Sequence, residues 1–240
     1  MTTAGGISRG ADVRVWVAEQ AALLGVSISV PLLCDTAVVR LGVTGVTVTV
    51  DLSPAWPETR YSTDPLGARL AELQVTVGEG PSLDVWLENG PVLVSDLDSP
   101  AIQRRWPLFA PLAVEAGACG LFALPMVVGT IRVGVFALHT ARAGELDQST
   151  LLYSLAFAEL AMQLQLDKHV GTNGLELGVE LRTPQVHQAT GMISVQLDIS
   201  MEEAFNRLRA RAFADQRPLA ELATDVVARR LRFDFMDEAP

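Results

Sequence analysis

Ser200 followed three residues later by Glu203 fixes a helix boundary that the C-terminal part of this chain has to respect. At that spacing a serine hydroxyl and a glutamate carboxylate satisfy backbone N–H groups otherwise orphaned at a helix start. A helix therefore begins at Met201. Pro218 marks another start, because its fixed φ and missing N–H are tolerated only in the first helical turn, and it follows the polar break Asp215-Gln216-Arg217. Beyond it Leu219, Leu222, Ala223, Val226 and Val227 recur at the spacing of one helical face. Ahead of Ser200, the stretch from Val186 to Met192 supplies a first helix, so three short helices are predicted between residues 184 and 233.

The chain has 240 residues, 49% of them hydrophobic and 19% charged, which supports a packed core and excludes an intrinsically disordered protein. Domains most often run about 100 to 150 residues, so the three helices leave room for one more domain. The net charge is −10, which opposes nucleic-acid binding if spread evenly, since neutralised phosphates supply much of that affinity. It is not spread evenly. Residues 1 to 183 carry 19 acidic and 11 basic side chains, whereas residues 184 to 233 carry 6 acidic and 7 basic. Arg207, Arg209, Arg211 and Arg217 face only Asp215 between residues 204 and 217. No apolar run approaches the roughly 20 residues of a membrane span, and the N-terminus has no leader pattern, so a cytoplasmic protein is expected. Cys34 and Cys119 lie in apolar stretches with no C-x-x-C spacing or histidine cluster, which reads as reduced thiols and no zinc.

Along the N-terminal region, residues 1 to 10 read as a loose tail, and Val13, Val17, Ala21 and Leu24 as one stripe of a helix. Leu32 to Leu41 follows as a second helix, and the alternating valines and threonines from Val46 to Asp51 as a strand. Residues 53 to 62 read as a loop, Leu66 to Leu73 as a helix, and Pro91 to Leu97 as a strand. Ile102 to Gly117 reads as one helix, Cys119 to Val128 and Ile131 to Thr140 as a hairpin joined at Gly129-Thr130, and residues 147 to 168 as one long helix. The glycines of residues 169 to 183 read as a linker.

The C-terminal residues Gln188-Ala189-Thr190-Gly191, Glu203-Ala204-Phe205, Leu208-Arg209 and Leu222-Ala223 resemble the ANTAR domain, a small helical RNA-binding module that promotes transcription antitermination in bacteria. Thr190 stands where the family usually has a lysine. The N-terminal Gly78-Glu79-Gly80-Pro81 turn, the Arg105-Trp106-Pro107 run, Ala123-Leu124-Pro125-Met126 and Gly134-Val135 resemble a GAF domain of the actinobacterial GAF and ANTAR proteins. Ser82 takes the place where that subgroup often has a cysteine. The resemblance implies an α+β chain: a GAF sensory domain over residues 11 to 168, an antiparallel sheet flanked by helices, then a three-helix ANTAR bundle over 184 to 240 with a short acidic tail. It also implies RNA hairpins as partners, a homodimer and an unidentified small molecule for the GAF domain.

For RNA the candidates are Gln188 and Thr190 on the first C-terminal helix, Arg207, Arg209 and Arg211 on the second, and Gln216 with Arg217 at the next turn. Guanidinium groups pair bidentately with phosphate and stack on bases, and amides read exposed base edges. The plainer reading of such arginines is a solvated face bridged to acids such as Glu203. Arg209 fits a structural role as well as a contact, and Gly191 reads as a close-packing position, because glycine inside a helix costs about 1 kcal/mol against alanine. Phe233 and Phe235 read as core cover or a dimer contact. No catalytic residue, cofactor or metal site is expected: His139, His169 and His187 stand in no recognisable nucleophile or metal pattern, and the glycine turn lacks the Lys-Ser/Thr of a P-loop. Two other classes remain open. In one, the C-terminal helices bind a protein partner. In the other, a GAF-fold redox enzyme, activity would be lost in Cys119→Ser.

Overall fold

Along β1 (Gly45–Asp51) the valines point to one side and the threonines to the other, the period of a pleated strand. The computed structural model describes residues 4–51, 57–88, 90–129, 131–171 and 184–234, and the chain divides into two compact units close to residue 180. The first is built on a five-stranded antiparallel sheet. Its other strands are β2 (Pro57–Ser62), β3 (Val92–Val94), β4 (Gly120–Val128) and β5 (Ile131–Thr140), in the order β2-β1-β5-β4-β3. The β4–β5 hairpin turns at Gly129, whose φ of 59° is the left-handed geometry such a turn needs.

Register sorts the side chains into two buried layers. Val48 lies opposite Phe136, which lies opposite Leu124, and Val46 opposite Leu138, which lies opposite Phe122. This face joins the core formed with α1 (Ala4–Leu24), α2 (Val30–Leu41) and α7 (Gln148–Gly171), including Val17, Leu33 and Phe157. The opposite face carries Thr47, Thr49, Ala137 and His139, all buried. On that side are α3 (Pro65–Val77) and α4 (Pro81–Glu88), which bring Leu70, Gln74 and Val85 into the interior.

Local chemistry explains most of the element ends. The Ser29 hydroxyl accepts from Leu32 N–H at the start of α2, and Gly42 ends it at φ 67°. Both Asp147 carboxylate oxygens cap α7, one accepting from the N–H groups of Ser149 and Thr150 and the other from the Thr150 hydroxyl.

Several expectations need correcting. Helix α1 begins at Ala4, inside the expected tail, and its buried stripe stops at Ala21, leaving Leu24 exposed. The expected loop at 53 to 62 contains β2, paired to β1, because Thr59, Tyr61 and Ser62 continue a ladder that their composition hides. The expected helix from Ile102 to Gly117 is broken into α5 (Pro100–Arg105) and α6 (Phe109–Glu115). Pro107 sits at the break, where it removes a donor and disfavours helical backbone in the residue before it. Strand β3 is shorter than expected, and α7 runs past residue 168 to Gly171. Most of the expected linker, residues 172 to 183, lies outside the described residues, as do Phe235, the acidic tail and the side chain of His169.

Candidate nucleic-acid interface

The second unit is a bundle of α8 (Pro184–Leu197), α9 (Met201–Ala214) and α10 (Leu219–Val227), with every pair of these helices in contact. Ala189, Ile193, Leu197, Phe205, Leu208, Leu222 and Val226 form its interior, and Phe233 closes it as a buried cover. The Ser200 hydroxyl accepts from Glu203 N–H at 3.1 Å, the serine half of the capping box expected from the sequence, whereas the Glu203 carboxylate lies against Arg207 instead of the helix start. All three helices end on a left-handed residue that is not glycine: Asp198, Gln216 and Arg229, at φ 49°, 51° and 59°. In each case the following N–H reaches back to a carbonyl five residues earlier: Ile199 to Ser194, Arg217 to Ala212, Arg230 to Asp225. That is the closing bond of a Schellman cap.

The predicted contact residues separate on this frame. Arg207 and Arg211 stand one turn apart on α9, Arg207 3.6 Å from Glu203 and Arg211 2.8 Å from Asp215. Gln188 and Gln216 are exposed, Gln216 as the left-handed residue that ends α9. Arg217 donates to Asp225 at 2.7 Å, and Asp225 also holds Arg230. These two arginines hold the Asp225 carboxyl below the usual carboxylate range. Arg209 lies over the Phe205 ring at 5.7 Å and donates to the Asn206 side-chain amide oxygen at 3.4 Å. Burial lowers its guanidinium pKa, which fits the structural role. Thr190 is 0% exposed and its hydroxyl donates to the Val186 carbonyl at 2.7 Å. Its place in the core satisfies the polar group internally and takes it out of reach of a phosphate.

The outer side of α8 carries a groove of about 540 Å³ that the sequence reading did not anticipate. Gln188 lines it, together with Gly191, Met192, Val195, Gln196, and Arg229 and Arg232 from beyond α10. A Cβ on Gly191 would meet nothing within 4 Å. The close-packing role expected for this glycine is therefore corrected: it opens a surface.

In the sheet unit, the Glu79-Gly80-Pro81 part of the glycine turn serves as a structural joint. The Glu79 carboxylate accepts from Leu108 N–H at 2.9 Å and Phe109 N–H at 3.2 Å, capping α6. Gly80 has φ 131°, and a Cβ there would lie 2.5 Å from the Gln74 side chain. That side chain accepts from Ser82 N–H at 2.7 Å. Beside it is a cavity of about 10 Å³ lined by Thr47, Thr49, Gln74 and His139, room for about one water. Cys34 is buried, and burial with Asp35 nearby raises its thiol pKa far above the ordinary range.

One pairing escaped the sequence. His139, buried on β5, places Nε2 3.1 Å from Asp64 Oδ2, without the alignment of a hydrogen bond. Burial lowers its pKa from 6.5, while Asp64 pulls the other way more weakly. A histidine depressed in the folded state leaves the unfolded chain holding more protons, so its stabilising effect is full above about pH 6.5 and is lost as pH falls below that. Urea unfolding at about pH 7.5 and about pH 5.5 is expected to show the wild type losing stability on acidification, by at most about 1.4 kcal/mol per pH unit crossed. His139→Gln should lack that component; equal acid sensitivity in both proteins would refute the assignment.

Residues 182–227 match the ANTAR domain family. The chain carries an ANTAR domain. Among solved structures, it is similar to the GAF domain of a phosphoenolpyruvate-protein phosphotransferase from Coxiella burnetii, at TM-score 0.50 and 12% identity over 68% of this chain and 97% of that one. The GAF domain of an Acinetobacter phosphoenolpyruvate-protein phosphotransferase is also similar, at TM-score 0.49 and 9% identity over 71% and 99%. So is a free methionine-R-sulfoxide reductase from Neisseria meningitidis, at TM-score 0.45 and 17% identity over 67% and 93%. At 12% identity, the first of these likenesses speaks for the fold alone. Comparison with curated proteins gave no match. The chain thus joins a GAF-like fold to an ANTAR domain at residues 182–227, a mixed α+β architecture. No helix among the described residues is long and apolar enough to cross a membrane.

Proposed function

We propose that this GAF and ANTAR protein is an antitermination regulator whose ANTAR bundle binds paired hairpins in nascent mRNA and keeps a terminator from forming. The match of residues 182–227 to the ANTAR domain carries the proposal. Arg207 and Arg211 are its phosphate contacts. Their ion pairs to Glu203 and Asp215 are local and partly exposed, worth well under 1 kcal/mol each, so a phosphate oxygen can replace the carboxylate. Gln188 and Gln216 offer amides to base edges, Arg217 adds positive charge beside Asp225, and Arg209 positions α9. Two bundles in a cytoplasmic homodimer would bind two hairpins at once and multiply a modest single-site affinity. The GAF domain would sense a signal or mediate dimerisation, biasing α7 between two arrangements. A ligand larger than water would have to displace Gln74 from the small cavity. No catalytic step is assigned to the chain, and the buried, protonated Cys34 fits that reading.

Crosslinking the protein to RNA in its native host, beside an Arg207→Ala, Arg211→Ala variant, tests the proposal. Tandem hairpins from leader regions should be enriched with the wild type and lost with the variant. In vitro, the two substitutions should flatten the log-log salt dependence by about 1.4, near 0.7 per single-stranded phosphate contact. Salt-independent binding and no enriched RNA would point instead to a protein partner for these helices.

A further inference from the structure

We infer that the groove on the outer side of α8 seats one unstacked base of an RNA loop, with Arg229 and Arg232 holding the adjoining phosphates. This inference rests on the RNA-binding reading above and adds a second contact surface to the α9 arginines. The groove is shallow and open to solvent, about 540 Å³, a surface on which a flat base can lie with one face against the protein. Its lining is mostly apolar: Met192 and Val195 belong to it, and Val195, 84% exposed, offers its methyl groups to whatever lies there. Gly191 deepens it, since no neighbour occupies the space where its side chain would stand. A glycine inside a helix lowers stability, and with no packing need to explain it, the open floor does.

The rim is chemically different from the floor. Gln188 is exposed beside it, and the Gln196 side-chain carbonyl accepts from Phe233 N–H at 3.4 Å, which fixes that side chain and leaves its amide N–H groups as donors. Arg229 and Arg232 have no ion pair among the described residues, whereas neighbouring Arg230 is tied to Asp225 at 2.7 Å. Arg229 occupies a left-handed position that glycine fills with less strain. Two unneutralised guanidinium groups over an apolar floor complement a nucleotide: phosphate outside, flat π-face inside. Loop bases stack on guanidinium planes, and a thioether makes favourable contact with an aromatic ring. The unit's charge points the same way, since residues 184 to 233 carry more basic than acidic side chains and residues 1 to 183 do not.

The test uses the full-length protein and a pool of two-hairpin RNAs with randomised loops. Wild type, Gly191→Leu, Val195→Glu and the Arg207→Ala, Arg211→Ala variant each select from the pool. Leucine favours helix more than glycine does, so Gly191→Leu fills the groove without endangering the bundle, which a thermal melt checks. The wild type should enrich one base at one loop position, and an abasic substitution there should weaken binding roughly ten- to a hundredfold, the range of one stacked base. Gly191→Leu and Val195→Glu should bind the parent RNA weaker by a similar factor and be indifferent to the abasic change. Salt-dependent binding with the base preference intact in Gly191→Leu overturns the groove assignment and leaves the RNA-binding reading standing. If the wild type selects no RNA, both fail together. A fall in oligomeric mass on filling the groove, with base preference unchanged, assigns the surface to a second copy of the chain and overturns the nucleotide.

Discussion

Replacing Leu208 with alanine is expected to melt the ANTAR bundle. Leu208 is fully buried at the centre of α9, among Phe205, Ala212 and the inner faces of α8 and α10. Leucine-to-alanine changes at such sites cost about 2–5 kcal/mol, from lost transfer energy and the cavity left behind. A unit of this size rarely has more than about 3–5 kcal/mol to lose. The layout of the chain makes the outcome readable, because its four tryptophans, Trp16, Trp56, Trp86 and Trp106, all precede the bundle. Far-ultraviolet circular dichroism should show a loss of helix at a temperature where tryptophan fluorescence still reports a folded GAF unit, and RNA binding should be lost with the helix signal. Unchanged ellipticity at that temperature would mean that the core tolerates the cavity and that the bundle is more stable than its size implies.

Phe136→Ala is expected to have a comparable effect in the GAF unit. Phe136 is fully buried on β5, flanked in register by Val48 and Leu124, in the layer that includes Phe157. Removing a buried phenylalanine side chain costs about 3–5 kcal/mol, against a total stability of about 5–15 kcal/mol for an ordinary domain. The denaturant midpoint followed by tryptophan fluorescence should fall by about a fifth or more. Phe136→Leu, which keeps most of the volume, should recover most of the loss. A midpoint shift close to zero for the alanine variant would show that the sheet and α7 close over the gap.

Signals short in sequence were legible. The Ser200 cap, the Pro218 start and the valine-threonine alternation of β1 are each set by chemistry within a few residues, and each appears where the spacing places it. The ANTAR and GAF resemblances rest on similarly local tokens. Tertiary contacts were less accessible. Nothing near Asp64 announces that its carboxylate will lie against His139, because only the folding of the sheet brings them together. The stretch that forms β2 has the composition of a loop, since an edge strand with polar residues lacks the pattern of a buried one. At the candidate interface, the pairing of Arg207 and Arg211 on one face followed from their spacing, but the burial of Thr190 could not be separated from the exposure of Gln188 two positions earlier. No sequence pattern marks Arg229 and Arg232, which lie beyond the last helical stripe and reach the groove only through the turn that ends α10.

The two rims of the sheet constrain how copies of this chain can meet. An open edge strand offers unpaired backbone groups that can template pairing with another molecule. Here β3 is three residues long, and the pairing of β2 with β1 is interrupted by a register shift between Val48 and Thr49. Short edges and bulges are the devices that discourage strand addition. Association into a continuous intermolecular sheet is therefore disfavoured at both ends, and the proposed homodimer has to be sought on helical surfaces. A regulator joined that way can change the spacing of its two copies by sliding or rotating helices, without breaking a hydrogen-bonded ladder.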